Sequence, residues 1–160
     1  MPLGASDLPF RRVVPSPIPA LSSPRGGTRV FRRAETPVIA GKILVIDDDD
    51  STLRALQRLL ETAGLTSAGY ESAEQVLASD ACEDAACVVS DQKLPGMSGL
   101  ELLAAMRSRN MTSPFILITA KDSPGVRAEA SARGAMYLAK PFLGEELLDA
   151  IDAATERSRR

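Results

Sequence analysis

Short apolar runs alternate with stretches of helical periodicity from Lys42 to the end of the chain. The runs KILVI, CVVSD and FILIT are strand-like, and FILIT is a continuous apolar run of the kind typical of strands that are covered on both faces. After the first run, apolar residues recur at three- and four-residue spacing from Leu53 to Ala63, and Gly64 then ends the predicted helix. Because strands and helices alternate, we predict five βα units and a parallel sheet with helices on both faces.

The other units are marked mainly by helix-start signals. Ser72 with Gln75, and Ser98 with Glu101, have the spacing of a capping box and predict the starts of the second and third helices. A fourth helix is predicted near residues 123–133. The second and fifth strands are predicted in LTSAG and AMYLA, and the last helix in GEELLDAIDAATE.

The first forty residues differ in composition from the rest of the chain. They hold seven of the eleven prolines, and their six arginines and two acidic residues give a net charge of +4, whereas the whole chain has a net charge of −2. Such a segment lacks the apolar periodicity that a packed core requires. We predict a disordered Pro/Arg-rich leader over residues 1–40, a folded domain over 41–157, a tail over 158–160, and no effector domain.

Several functional classes are excluded by residues that the chain lacks. It contains no histidine, which removes histidine acid–base catalysis and most zinc chemistry. Two cysteines are too few for a disulfide framework or a zinc set, so we expect Cys87 to be a buried strand residue and Cys82 a loop residue. No apolar run has the length of a membrane span and no secretory signal is present, so we expect a cytoplasmic location and no membrane partner.

Candidate chemistry lies where the predicted strands end. Asp47 and Asp48 follow the first strand, Asp91 ends the third, Thr119 ends the fourth, and Lys140 follows the fifth. In a parallel sheet these positions share one edge, which is where ligands bind in open α/β folds. Clustered carboxylates repel one another unless a hard divalent cation such as Mg²⁺ or Mn²⁺ binds them. A hydroxyl and an ammonium group beside such a cation suit a bound phosphoryl group.

The motifs ILVIDDD, SDQKLPGMSGLEL, FILITA and GAMYLAKPF, in this order, resemble the receiver domain of response regulators in two-component signalling. The resemblance covers residues 42–156 and all five units. It implies a flavodoxin-like (βα)5 fold, with a five-stranded parallel sheet in the order 2-1-3-4-5. It also implies a single-domain response regulator, which is not a classical enzyme but catalyses its own phosphorylation and dephosphorylation.

The resemblance implies a role for each candidate residue. Asp91 is the expected phosphoacceptor, which takes a phosphoryl group from phosphohistidine on a histidine kinase or a phosphotransfer protein. Asp48 and Asp91 would bind Mg²⁺ together with the backbone carbonyl of Lys93, and Asp47 would act largely through water. Thr119 and Lys140 are the other two expected catalytic residues, because they would bind the phosphoryl oxygens.

The same resemblance implies a switch beside the pocket. Tyr137 would turn inward when Thr119 moves toward the phosphate, and the fourth helix, fifth strand and fifth helix would then contact a downstream protein or form a homodimer. Ala120 matches the small residue that leaves the pocket open, and Lys140–Pro141 matches a cis peptide bond of the family. We also hypothesise that the pocket-flanking cations Lys93 and Lys121 attract the partner and tune the lifetime of the phosphorylated state.

Two other classes of site match part of the run of four aspartates from Asp47 to Asp50. Asp48 to Thr52 also matches the Asp-x-Asp-x-Thr motif of haloacid-dehalogenase phosphatases, but that fold needs an acidic motif after a further strand beyond Lys140. An EF-hand is excluded by position, because its sixth and twelfth residues would be Thr52 and Arg58. We instead expect Asp49 and Asp50 to begin the first helix.

A third alternative is a receiver-shaped interaction module whose leader binds nucleic acid. Six arginines could contact phosphates, but the leader has only two aromatic residues, so nucleic acid is not the expected partner. The arginines are Arg11, Arg12, Arg25, Arg29, Arg32 and Arg33.

Overall fold

The structure is a computed structural model that describes residues 39–160. The leader predicted for residues 1–40 lies almost entirely outside the described residues. The strands are β1 (Lys42–Ile46), β2 (Ser67–Tyr70), β3 (Ala85–Asp91), β4 (Phe115–Thr119) and β5 (Met136–Ala139). The helices are α1 (Asp50–Thr62), α2 (Ala73–Ala78), α3 (Gly99–Ser108), α4 (Pro124–Ala132) and α5 (Gly144–Ser158), and a 3-10 turn spans Asp80–Asp84.

All five strands are parallel and lie in the order β2-β1-β3-β4-β5. This order confirms the predicted flavodoxin-like sheet. It reverses at β1, whose two neighbours are β2 on one side and β3 on the other. Because β1 and β3 are adjacent and parallel, the residues at their carboxyl ends are brought together at the point where such folds bind ligands.

Side chains of successive strand residues alternate between two hydrophobic cores. Leu44 and Ile46 of β1 face the core that includes residues of α2, α3 and α4, whereas Ile43 and Val45 face the core formed with α1 and α5. Phe115 is the largest fully buried side chain. Burial on both faces explains why β1 and β4 are continuous apolar runs.

The helix starts follow the predicted signals with one difference. Ser98 and Glu101 form the full capping box of α3. The Ser72 side chain accepts a hydrogen bond from the Gln75 amide at 3.2 Å, but the Gln75 side chain accepts from the Glu71 amide rather than from Ser72. The second hydrogen bond of the predicted capping box is therefore made by the amide of Glu71, one residue before the expected Ser72.

The amino end of α3 begins in direct contact with the end of β3. A Cβ atom on Gly99 would lie 2.5 Å from the carbonyl oxygen of Asp91 and 2.6 Å from Cδ1 of Leu117. Both distances are far below van der Waals contact, so only glycine allows the helix to approach this closely. The helix that follows the site is thus fixed against the backbone of Asp91.

The two thiols are both buried, and one prediction is wrong. Cys87 lies within β3 and has no exposed surface, as expected. Cys82 was expected in a loop, but it lies in the 3-10 turn and is 1% exposed. The turn places Cys82 in the same core as residues of α2 and α3. A segment of five residues is too short to show a periodic pattern that would predict this burial. Within residues 39–160, no helix is both long and apolar enough to cross a bilayer.

Candidate functional site

Three carboxylates meet at the carboxyl ends of β1 and β3. One oxygen from each of Asp47, Asp48 and Asp91 lies within 4.8 Å of the other two. Asp47 is buried, Asp91 is half-buried and Asp48 is exposed, so the cluster opens to solvent on one side. Oxygen ligands at these separations, with room for water, suit a hard divalent cation.

Lys140 lies between two of these carboxylates. Its ammonium nitrogen is 3.6 Å from Oδ2 of Asp47 and 3.7 Å from Oδ1 of Asp91. The Lys140 amide donates to the carbonyl of Thr119 at 2.8 Å, and the peptide bond to Pro141 is cis as predicted. The end of β5 therefore delivers a positive charge to the end of β3, where it partly neutralises the acidic cluster.

The surroundings of Asp91 disfavour its charged form. Burial raises the pKa of the Asp91 carboxyl, nearby Lys140 opposes this rise, and the negative charge of Asp47 adds to it. The net pKa of Asp91 is above the ordinary value, and burial is the largest cause of this rise. A bound cation would reverse this balance and favour the carboxylate. The site is therefore chemically suited to a cation.

Asp49 and Asp50 belong to the start of α1, as predicted. The Asp49 carboxylate accepts hydrogen bonds from the Ser51 amide at 3.1 Å and from the Thr52 hydroxyl at 2.8 Å. Asp50 forms an exposed ion pair with Arg54 at 2.9 Å. The Asp-x-Asp-x-Thr reading is therefore not supported, because its second aspartate and its threonine both act within the first turn of α1.

Thr119 is buried at the end of β4, and its hydroxyl is bonded to its own loop. The hydroxyl donates to the Lys121 carbonyl and accepts from the Lys121 amide, both at 3.1 Å. Ala120 and the Lys121 side chain are exposed beside it. In this conformation the Thr119 proton is directed to the β4–α4 loop and not to the carboxylates.

Tyr137 of β5 is held by residues that the sequence did not indicate. Its hydroxyl donates to Oδ1 of Asp122 at 2.9 Å and accepts from the Ser123 amide at 3.3 Å. The Arg127 guanidinium bonds both Asp122 oxygens at 2.8 Å and lies 4.6 Å from the centre of the Tyr137 ring. The spacings from 122 to 127 and 137 match neither helix nor strand periodicity, so no sequence signal could have found this group.

The remaining predicted positions surround the cluster. Lys93 follows Asp91 by two residues, and its side chain is exposed. Pro141 is also exposed, directly after Lys140. Gln92 fixes the start of the loop, because its amide donates to the Ile118 carbonyl at 2.7 Å. The cluster thus has three carboxylates and an ammonium group at one open edge, a combination that suits metal-assisted phosphoryl transfer.

Comparison with known proteins agrees with this chemistry. A family model described as the response regulator receiver domain matches residues 43–152. Nodulation protein W of Bradyrhizobium diazoefficiens is 38% identical over 119 residues, which are 74% of this chain and 52% of that protein. The chain therefore spans about half the length of this relative.

Solved structures show the same fold. A response regulator receiver domain from Clostridium thermocellum gives a TM-score of 0.69 at 29% identity, covering 74% of this chain and 97% of that one. The Vibrio cholerae chemotaxis protein CheY4 gives a TM-score of 0.66 at 28% identity, covering 71% of this chain and 98% of that one. The chain belongs to the response regulator receiver domain family, the phosphoacceptor module of two-component signalling.

Proposed function

We propose that the protein is a response regulator in which Asp91 accepts a phosphoryl group from phosphohistidine on a histidine kinase or phosphotransfer protein. A carboxylate oxygen of Asp91 attacks phosphorus, the P–N bond to the donor imidazole breaks, and an acyl phosphate forms. The imidazole leaves with the electron pair of that bond and takes up a proton. Hydrolysis by water returns Asp91 and inorganic phosphate.

The observation that carries this proposal is the placement of Lys140 between Asp47 and Asp91 within the three-carboxylate cluster. Asp48 and Asp91 would hold Mg²⁺ or Mn²⁺ together with the Lys93 carbonyl, and Asp47 would act through water. When bound, the cation would neutralise charge on the transferred phosphoryl group. Lys140 is close enough to Asp91 to bind an oxygen of the same group.

Thr119 would bind a second phosphoryl oxygen, and this requires its hydroxyl group to change its hydrogen-bond partner. Its hydroxyl proton must leave the Lys121 carbonyl, to which it now donates at 3.1 Å. Tyr137 must likewise leave Asp122 to turn inward. We propose that these two movements bias α4, β5 and α5 toward a conformation that a downstream protein or a second copy of the chain selects.

Mass spectrometry with a small acyl-phosphate donor tests the proposal directly. We expect one phosphate to be added in the presence of Mg²⁺, little addition after chelation, and none to Asp91→Asn. Asp84→Asn, which removes an exposed carboxylate from the 3-10 turn, is the matched control and should label as the wild type does. Wild-type labelling of Asp91→Asn, or labelling that ignores removal of Mg²⁺, would rule out the assignment.

The other predictions about the whole protein stay predictions. Neither the leader nor the location in the cytoplasm is tested by residues 39–160. A filter-binding assay that compares the full chain with a chain lacking residues 1–40 would test the nucleic-acid alternative. We expect negligible and equal affinity in both.

A further inference from the structure

Glu74 of α2 contacts the loop that follows the phosphoacceptor. Oε2 of Glu74 accepts a hydrogen bond from the Met97 amide at 2.9 Å, although the two residues are 23 positions apart. A Cβ atom on Gly96 would lie 2.7 Å from the same oxygen, and Gly96 has a φ of +75°. The backbone of the loop therefore lies directly against the carboxylate, in a conformation that favours glycine.

The beginning and end of this loop are fixed by Gln92. The Gly99 amide donates to the Gln92 carbonyl at 3.0 Å, and the Leu100 amide donates to Oε1 of Gln92 at 2.9 Å. These bonds join the two ends of the loop, which we call its base. They involve none of residues 93–97, which form its tip. The contact with Glu74 ties the tip to a different helix.

A buried side chain supports the same arrangement. Leu94 is 8% exposed and belongs to the core cluster that contains Ala73 and Val76 of α2. Glu74 lies between these two residues in the helix. Leu94 is thus buried in a core to which α2 also contributes, and the loop is hydrogen-bonded to α2 through Met97. Lys93 lies between Gln92 and these two anchored positions.

From these contacts we infer that Glu74 is a positioning residue for the cation site. Its carboxylate holds the tip of the loop and so fixes the direction of the Lys93 carbonyl toward Asp91. This inference rests on the proposed function, in which that carbonyl binds the cation. A carbonyl that is already held in place loses less conformational freedom when the cation binds, so the site binds it more tightly.

The test uses three variants and the full chain. Glu74→Ala removes the acceptor, Glu74→Gln keeps an acceptor oxygen but removes the charge, and Glu71→Ala removes a nearby exposed charge without touching the loop. Isothermal titration calorimetry measures Mg²⁺ affinity. Amide hydrogen exchange measures protection of the Met97 amide in the absence of Mg²⁺.

We expect Glu74→Ala to weaken Mg²⁺ binding about threefold to tenfold and to reduce protection of the Met97 amide by a similar factor. Glu74→Gln and Glu71→Ala should stay within about twofold of the wild type in both measurements. The rate of phosphorylation of Glu74→Ala should fall at low Mg²⁺ concentration and recover at saturating Mg²⁺. Recovery would show that positioning of the cation ligand was lost and that the reacting groups remained intact.

Two results would overturn the inference alone. One is wild-type Mg²⁺ affinity in Glu74→Ala. The other is an equal loss of affinity in Glu74→Gln and Glu74→Ala, which would assign the effect to charge and not to the hydrogen bond. A wild-type protein that binds no Mg²⁺ would instead overturn the proposed function, and this inference with it.

Discussion

The Tyr137 hydroxyl donates a hydrogen bond of 2.9 Å to Asp122, and Asp122 is in turn bound through both oxygens to Arg127. The aromatic side chain of β5 is therefore held by residues in the first turn of α4 and in the loop before it. The bonds stabilise the position that Tyr137 occupies in this structure. In the proposed switch, the phosphorylated state must break them.

Asp122→Ala should therefore favour the phosphorylated conformation. The variant loses a hydrogen bond that holds Tyr137 in its present position, so the conformational equilibrium shifts away from that position. We expect phosphorylation by a small donor to become about twofold to fivefold faster, and the NMR signals of the Tyr137 ring to shift toward those of the phosphorylated protein. The chain has two tyrosines, which makes the assignment simple.

Glu129→Ala is the matched control for this prediction. It breaks another exposed ion pair of α4, with Arg133 at 3.2 Å, at the end of the helix far from Tyr137. Its phosphorylation rate and Tyr137 signals should equal those of the wild type. If Asp122→Ala behaved like Glu129→Ala, the hydrogen bonds that Asp122 makes with Tyr137 and Arg127 would have no part in the switch.

Asp91→Asn should stabilise the protein when no divalent cation is present. The variant removes one of three clustered carboxylates, and burial disfavours the charged form of the one that it removes. We expect its thermal midpoint to rise by about 2–5 °C above that of the wild type. Added Mg²⁺ should raise the midpoint of the wild type more than that of the variant, because the variant has lost a ligand.

Differential scanning calorimetry with and without Mg²⁺ measures both effects. Asp84→Asn should change neither the midpoint nor the response to Mg²⁺ by a comparable amount. A lower midpoint for Asp91→Asn in metal-free buffer would mean that Lys140 already balances the cluster.

Lys93→Ala and Lys121→Ala test the role of the cations that flank the pocket. Both side chains are exposed, so their truncation should leave the fold intact. We expect phosphotransfer from a phosphohistidine domain to slow about twofold to fivefold at low salt, with a smaller effect at high salt. We also expect faster loss of the aspartyl phosphate, since the truncated side chains leave more room for water.

Radiolabelled phosphotransfer and decay assays measure these two rates. Lys42→Ala is the control, because Lys42 is exposed at the start of β1, the end opposite the site. Unchanged phosphorylation and decay in both test variants would show that the two lysines are only solvated surface residues.

Cys87 should make the protein less stable at high pH. Burial raises the pKa of its thiol to about 12, from an ordinary value of 9.0. Between these values the unfolded chain loses the thiol proton while the folded chain keeps it. The free energy of unfolding should therefore fall with rising pH, with Cys87 contributing up to about 1.4 kcal/mol per pH unit.

Urea unfolding between these two pH values measures the slope. Cys87→Ala should start from a lower stability because it creates a cavity, but its stability should fall less steeply with pH. Equal slopes in the two proteins would contradict the prediction. The native wild type should also resist thiol reagents at neutral pH, since both cysteines are buried.

The three carboxylates could be predicted from where the apolar strands end, whereas the sheet order was implied by the resemblance to receiver domains. Asp47, Asp48 and Asp91 follow directly from that rule and from the parallel pairing of β1 and β3. The direction of the Thr119 hydroxyl could not be predicted, because a hydroxyl rotates to suit its nearest partners. The end of a strand determines where a residue lies in the sheet, whereas the hydrogen bonds of its side chain depend on the loops around it.

Contacts between elements far apart in the chain were also beyond prediction. The bond from Glu74 to Met97 and the burial of Cys82 each depend on how a short segment packs on a neighbour. Neither segment has enough residues to show a periodic pattern. Such contacts therefore cannot be predicted from the order of apolar and polar residues.

The close approach of Gly99 to Asp91 has a consequence for motion within the site. The first turn of α3 touches the Asp91 carbonyl with no space for even a methyl group, and the same helix buries Leu102, Leu103 and Met106 completely. The reactive carboxylate is thus borne on a backbone that can shift only if the hydrophobic core shifts with it. In the proposed function, the attacking oxygen would therefore keep its position as long as the core does, and the movements that phosphorylation requires would occur in the β4–α4 loop and at Tyr137.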